Sequence, residues 1–169
     1  FTDTTSALQV LKTAMNSYGD AQSDLQHVSD SLIMTQNLGV TTIAELSQNM
    51  GVAIASASAY NVSLENLEAA YIATTKSGIN TANSTTYLSR MFSELGDSGS
   101  TVSKIITNQT GKSFGQLMKE GYSLADVLEI LYESCGNDAE AMMQLWQQQS
   151  SGKAANAIVN QGLSQFRQN

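Results

Sequence analysis

The side chains best suited to chemistry in this chain are few and scattered. Cys135 is the single cysteine and His27 the single histidine. A zinc site takes about four ligands, and these two residues have no second copies to complete one. A nucleophilic Cys-His pair stays open on geometry, but Cys135 continues the apolar spacing of Leu124, Leu128 and Leu131, which is where a core cysteine belongs. His27 lies between Gln26 and Val28 and suits a solvent-facing or interface position. Carboxylates recur at helical spacing, Glu65 with Glu68 and Glu129 with Glu133, as acid pairs for glycosidase or metal chemistry would. Glu129 and Glu133 stand opposite the Leu124, Leu128 and Leu131 stripe, so solvated faces are predicted for these pairs. Thr110-Gly111-Lys112-Ser113 looks like the end of a phosphate-binding loop, yet Ile106 occupies the place of the first glycine that motif needs. Without that glycine the backbone cannot wrap its N-H groups around phosphates, and no cofactor is expected.

One stretch stands out for packing instead of reactivity. Gly51 to Ala59 carries Gly51, Ala55 and Ala59 at four-residue steps on one helix face. Small side chains let two backbones approach closely. The face suits either a tight helix crossing inside a bundle or an interface between subunits.

The elements that must carry these residues are helices. The 169 residues hold no proline, and only 14% are charged against 41% hydrophobic. A chain of this length suits one domain that buries roughly 70% of its unfolded surface. Its net charge of -7 has the wrong sign for direct nucleic acid binding. No run approaches the ~18 apolar residues of a spanning helix, and no basic start precedes an apolar run as in a secretory signal, so no membrane contact is expected of this segment. The start at Phe1 suggests a piece of something longer.

Apolar residues recur at three-and-four spacing in blocks separated by glycines or capping residues. Stripes on Leu8, Leu11, Met15 and Tyr18 and on Ala21, Leu25, Val28 and Leu32 predict the first two helices. Thr42 with Glu45 forms a T-x-x-E capping box opening the third, which runs to about Tyr60. The fourth opens at Ser63 with Val62 and Leu67 as a hydrophobic staple, and the fifth follows Asn80 with Leu88, Met91, Phe92 and Leu95 on one face. Residues 96 to 100 read as a loop, dividing the chain into helical segments 1–96 and 97–169. Val102, Ile105 and Ile106 suit a short helix or one arm of a small β-hairpin over 104–115. Ser123 with Asp126 caps the strongest stripe, and two further helices carry Ala139, Met142, Met143 and Trp146 and then Ile158, Val159 and Phe166. The expectation is an all-α, compact bundle of seven or eight short helices, self-contained because short amphipathic helices cannot bury their stripes alone.

The order Gly39-Val40-Thr41-Thr42-Ile43-Ala44-Glu45-Leu46, Gly51 with its Ala-rich helix, Asn61-Val62-Ser63-Leu64-Glu65-Asn66-Leu67, Thr75, Gly78-Ile79 and Thr81 to Leu88 resembles the core of the tail tape-measure proteins of tailed bacteriophages and prophages. Residues 21–39 upstream and 111–131 downstream are similar to that family's flanking segments, so the resemblance covers about residues 10–135. It implies a non-enzymatic structural role in a protein that sets tail length, occupies the tail tube and leaves ahead of the DNA. The implied partners are the tail tube, the tail tip or baseplate and tail assembly chaperones, and the Gly51, Ala55 and Ala59 face adds the expectation of a second copy in a homo-oligomer. The implied location is the virion tail, after synthesis in the host cytoplasm. Family members are far longer, so the ruler itself is expected elsewhere in the parent chain. A membrane-active helical toxin or pore-forming fragment is the alternative, although residues 51–59 lack the basic side chains of an interfacial helix.

Overall fold

The computed structural model of the protein describes residues 25–161, with side chains from Asp30 onward. Among these residues there are nine α-helices and no strand: α1 (Leu25–Leu38), α2 (Ile43–Ala59), α3 (Leu64–Lys76), α4 (Thr81–Gly96), α5 (Thr101–Thr110), α6 (Phe114–Lys119), α7 (Leu124–Ser134), α8 (Ala139–Met143) and α9 (Gln149–Asn160). The all-α expectation holds, while the count of seven or eight is low. The stripe on Leu8, Leu11, Met15 and Tyr18 lies outside the described residues, as does Phe166.

Of the two readings of 104–115, the helix is the one formed and the small β-hairpin is not. Ser100 accepts a hydrogen bond from the Ser103 N-H and starts α5, and Gly111, at φ +75, ends it in the left-handed conformation. Ser113 then caps α6 by accepting from the Gln116 N-H. Val102 and Ile106, one helical turn apart, are both fully buried. The spacing that two strands would need is thus used by one helix, a turn and a second helix. Trp146 lies beyond α8, which stops at Met143.

Every helix from α2 to α8 begins with a polar side chain that accepts from a backbone N-H of its own first turn. Such a cap contributes about 1 kcal/mol where the first N-H groups lack partners. The box at Ser123 and Asp126 is reciprocal. At Thr42 only half of the expected box forms: the Glu45 N-H donates to the Thr42 hydroxyl, and that hydroxyl donates to the Glu45 carboxylate. Val62 and Leu67 are both fully buried, as the staple requires.

Helix α4 is the hub. Leu88, Met91, Phe92 and Leu95 are all fully buried, and α2 and α9 both pack on this helix. The hydrophobic cluster runs without a break from Leu32 through Leu95 and Val102 to Ile158. Where the chain passes from α4 to α5, Gly96 lies under an aromatic ring: a Cβ built there would meet Tyr60 Cε1 at 2.1 Å. The same Tyr60 ring faces Phe114 at a centroid distance of 6.3 Å, and Asn61 Nδ2 donates to the Gly115 carbonyl at 3.0 Å. One aromatic thus ties together the ends of α2 and α4 and the start of α6.

The buried threonines of α3 and α4 satisfy themselves locally. The Thr75 and Thr85 hydroxyls donate to the carbonyls of Tyr71 and Thr81, one turn back, and the Tyr71 and Thr85 hydroxyls bond to each other. This is how these two helices hold threonine in the core without leaving its hydroxyl unpaired.

Gly51 and Gly96 form a matched pair of helical glycines. At Gly51 a Cβ meets nothing within 4 Å, so Gly51→Ala should raise stability by about 0.5–1 kcal/mol through helix propensity. Gly96→Ala should lower it, because the Tyr60 ring must move. Urea unfolding of the two variants checks the pair, and equal shifts of one sign would contradict this packing.

Candidate functional site

The outer face of α2 is where the structure places Gly51, Ala55 and Ala59. Leu46, Met50, Ala53, Ile54 and Ala57 point into the core, and this phase leaves Gly51, Val52, Ala55 and Ala59 exposed. Val52 is 65% exposed. Among the described residues, then, these small side chains make no crossing inside the bundle. No charged residue occurs from Leu46 to Tyr60, so the face is flat and electrically neutral.

At the start of α2 the bundle end is concave. Thr41 and Thr81 hydroxyls meet at 2.7 Å and hold the first turns of α2 and α4 side by side. Around them Gly39, Thr42, Glu45, Thr75, Gly78 and Asn80 line an open depression of about 560 Å³, with Val40 67% exposed beside it. The Val40 N-H donates to the Thr75 hydroxyl and the Ile43 N-H to the Gln36 side-chain carbonyl, which fixes the turn between α1 and α2. The depression is rich in hydroxyls and carries one carboxylate.

A second, smaller groove lies between α1 and α3. Met34, Leu38, Ala69 and Ile72 give it apolar walls around a volume of about 110 Å³, and Glu68 lies against it. Glu68 is only 4% exposed, so the solvated face expected for the Glu65 and Glu68 pair is wrong for Glu68. Its pKa rises from the ordinary 4.5 to about 8: burial penalises the anion most, the Ser31 hydroxyl partly offsets this by donating at 3.0 Å, and the neighbouring Glu65 charge raises it further. The signal was available in the sequence. Glu68 falls one turn after Leu64 and one turn before Tyr71, which places it on the inward stripe of α3.

The remaining reactive residues stand apart. Cys135 ends α7, half-buried and packed against the core, in agreement with its apolar spacing. His27 belongs to α1 by its backbone, and its side chain lies outside the described residues. Lys112 is exposed and reaches Glu120 at 2.6 Å, which raises the lysine pKa, while the Gln116 side-chain amide first and Lys112 second hold the Glu120 carboxyl below its ordinary value. Thr110 to Ser113 is therefore a turn between two helices, and its lysine is engaged by a carboxylate.

The described residues thus form an all-α bundle whose outward α2 face carries no charge. Residues 1–158 match the model of a family described as phage-related minor tail protein. A probable tape measure protein of Clostridium phage phiCD119 is 31% identical over 175 residues, an alignment that covers 100% of this chain and 18% of that relative. No solved structure matches the chain significantly. The chain belongs to the phage-related minor tail protein family. It spans less than a fifth of the length of the curated relative it matches.

Burial of Glu68 makes stability depend on pH. Its folded-state pKa lies above the unfolded value, so its contribution is fully present below about pH 4.5 and is lost as pH rises toward about 8. The slope from this group approaches about 1.4 kcal/mol per pH unit within that window. Glu68→Gln cannot ionise and should be the more stable protein at pH 8, with the advantage shrinking toward pH 5. Urea midpoints of both proteins across this range check it, and a constant difference would contradict the burial of the acid.

Proposed function

We propose that this chain is a folded module of a tape-measure protein, a non-enzymatic part of a protein that sets tail length and occupies the tail tube. The similarity to the probable tape measure protein, extending over all of this chain, carries the reading. The module is proposed to dock through the α2 face of Gly51, Ala55 and Ala59, on a second copy or on another tail component such as the tube, tip or an assembly chaperone. Three properties support that face: it is exposed, it is uncharged, and it has no Cβ at Gly51 to hold a partner away. The division at Gly96 into 1–96 and 97–169 is proposed as a division of motif, with the docking face in the first segment. Synthesis in the host cytoplasm follows from assembly inside the infected cell.

The membrane-active alternative has less to rest on. Among the described residues no helix is long and apolar enough to cross a membrane. Cys135→Ser is expected to leave tail formation unchanged, since the proposed role uses no thiol.

Gly51→Leu tests the docking face in the phage itself. The site is open, so the variant should fold with unchanged helicity. Infectious particles with complete tails should nevertheless fall at least tenfold, as seen by electron microscopy and plating. Normal tails from a folded Gly51→Leu protein would remove this face from the proposal.

A further inference from the structure

Helix α9 is held on the bundle differently from helices α2 to α8. Its N-cap, Gln148, makes no side-chain capping bond. The Gln147 and Gln148 N-H groups donate instead to the two carboxylate oxygens of Glu94, at 2.8 and 3.2 Å. Glu94 is only 8% exposed and belongs to α4, so the start of α9 is capped by another element. Tyr87, Arg90 and Met91 share Glu94's side of α4 by helical spacing, and Arg90 donates to the Ser150 hydroxyl at 3.0 Å.

The seam below that cap is poorly matched. Buried polar atoms without a hydrogen-bond partner among the described residues are Ser89 Oγ, Trp146 Nε1, Ser151 Oγ and Asn156 Oδ1. Ser151 and Asn156 belong to α9 and Trp146 to the segment that leads into it, whereas Ser89 lies on α4 in phase with Thr85, Phe92 and Gly96, away from Glu94. Gly152 of α9 is packed tightly against the end of α8 and the segment after it, where a Cβ would meet Met143 Sδ and Trp146 Cδ1. Such a seam combines close packing with unpaired donors and acceptors, and unmet buried polar groups offset much of what the packing contributes. The buried threonines of α3 and α4 show a different pattern, with hydroxyls bonded within their own helices or to a neighbouring hydroxyl.

We propose that α9, with the segment from Leu145 to Gln148, is a releasable strap: it opens as a unit from α4 while the other helices stay folded, and the Glu94 carboxylate is the latch that closes it. Opening lets water reach the unpaired atoms of Trp146, Ser151 and Asn156, which lowers the cost of exposing the apolar residues beneath. It uncovers the side of α4 that carries Tyr87 and Met91, an apolar strip on the hub of the fold. Sub-global opening of this kind is drawn from regions where packing is least matched.

Hydrogen exchange on the intact protein tests the strap directly. Amides of α9 should exchange at least tenfold faster than those of α2 and α4 in the wild-type chain. Glu94→Gln sets a side-chain amine against a backbone donor and should speed α9 exchange a further tenfold or more, leaving α2 unchanged. Trp146 is the only tryptophan, so acrylamide quenching of its fluorescence gives a second reading, with quenching rising in Glu94→Gln. The wild-type measurement stands even where the variant folds poorly. Exchange of α9 amides only at the rate of global unfolding, equal to that of α4, would overturn the proposal.

Discussion

The buried face of α4 is the constraint on which the rest of the structure depends. Leu88, Met91, Phe92 and Leu95 recur at three-and-four spacing, and all four are excluded from water. Full burial of such side chains contributes about 1.5–3 kcal/mol each, but only if α2 and α9 come to α4 from different parts of the chain. That requirement orders the topology. The chain must turn back after α2 through Tyr60 and Asn61, leave α4 without a side chain at Gly96, and return at its far end to lay α9 on the same helix. The Tyr60 ring over Gly96 and against Phe114 is where these demands meet.

A chain with little charge and no proline needs other means of starting and stopping the nine helices of its described residues. Hydroxyl, amide and carboxylate caps supply them. Their reach extends beyond their own helices: Asn66 of α3 accepts from the Leu124 N-H at the start of α7 at 3.0 Å, and Glu94 does the same for α9. Caps supplied from another helix fix orientation as well as helix start, because the donor and the acceptor must arrive together. The bundle is therefore specified by polar contacts at helix ends as much as by apolar contacts along helix faces.

Much of this was legible in the sequence. The stripes on α4 and α7, the staple at Val62 and Leu67, and the cap residues Thr42, Ser63, Asn80 and Ser123 follow from local spacing, which a single helix expresses on its own. Residues 104–115 were ambiguous because short apolar runs fit a strand or a helix, and the decision fell to Ser113 and to Gly111 at positive φ. Glu68 was misplaced because its charge was weighed above its phase on α3. Glu94, the partner of α9, carries no local signal, since its role depends on a segment more than fifty residues away. The exposed side of α2 shows the converse. Small residues at four-residue steps mark a surface that allows close approach, but only the fold reveals that no helix among the described residues occupies it.

In this member of the phage-related minor tail protein family, the described residues share one core and leave the neutral α2 face exposed. The claim beneath this is that one core, centred on α4, runs through both halves of the described chain. Urea unfolding of Phe92→Ala followed by far-ultraviolet circular dichroism tests it most directly. The account predicts a single loss of all helicity at lower urea, with a cost of about 3–5 kcal/mol. Two separated transitions, with the helices after Gly96 melting independently of those before it, would contradict it.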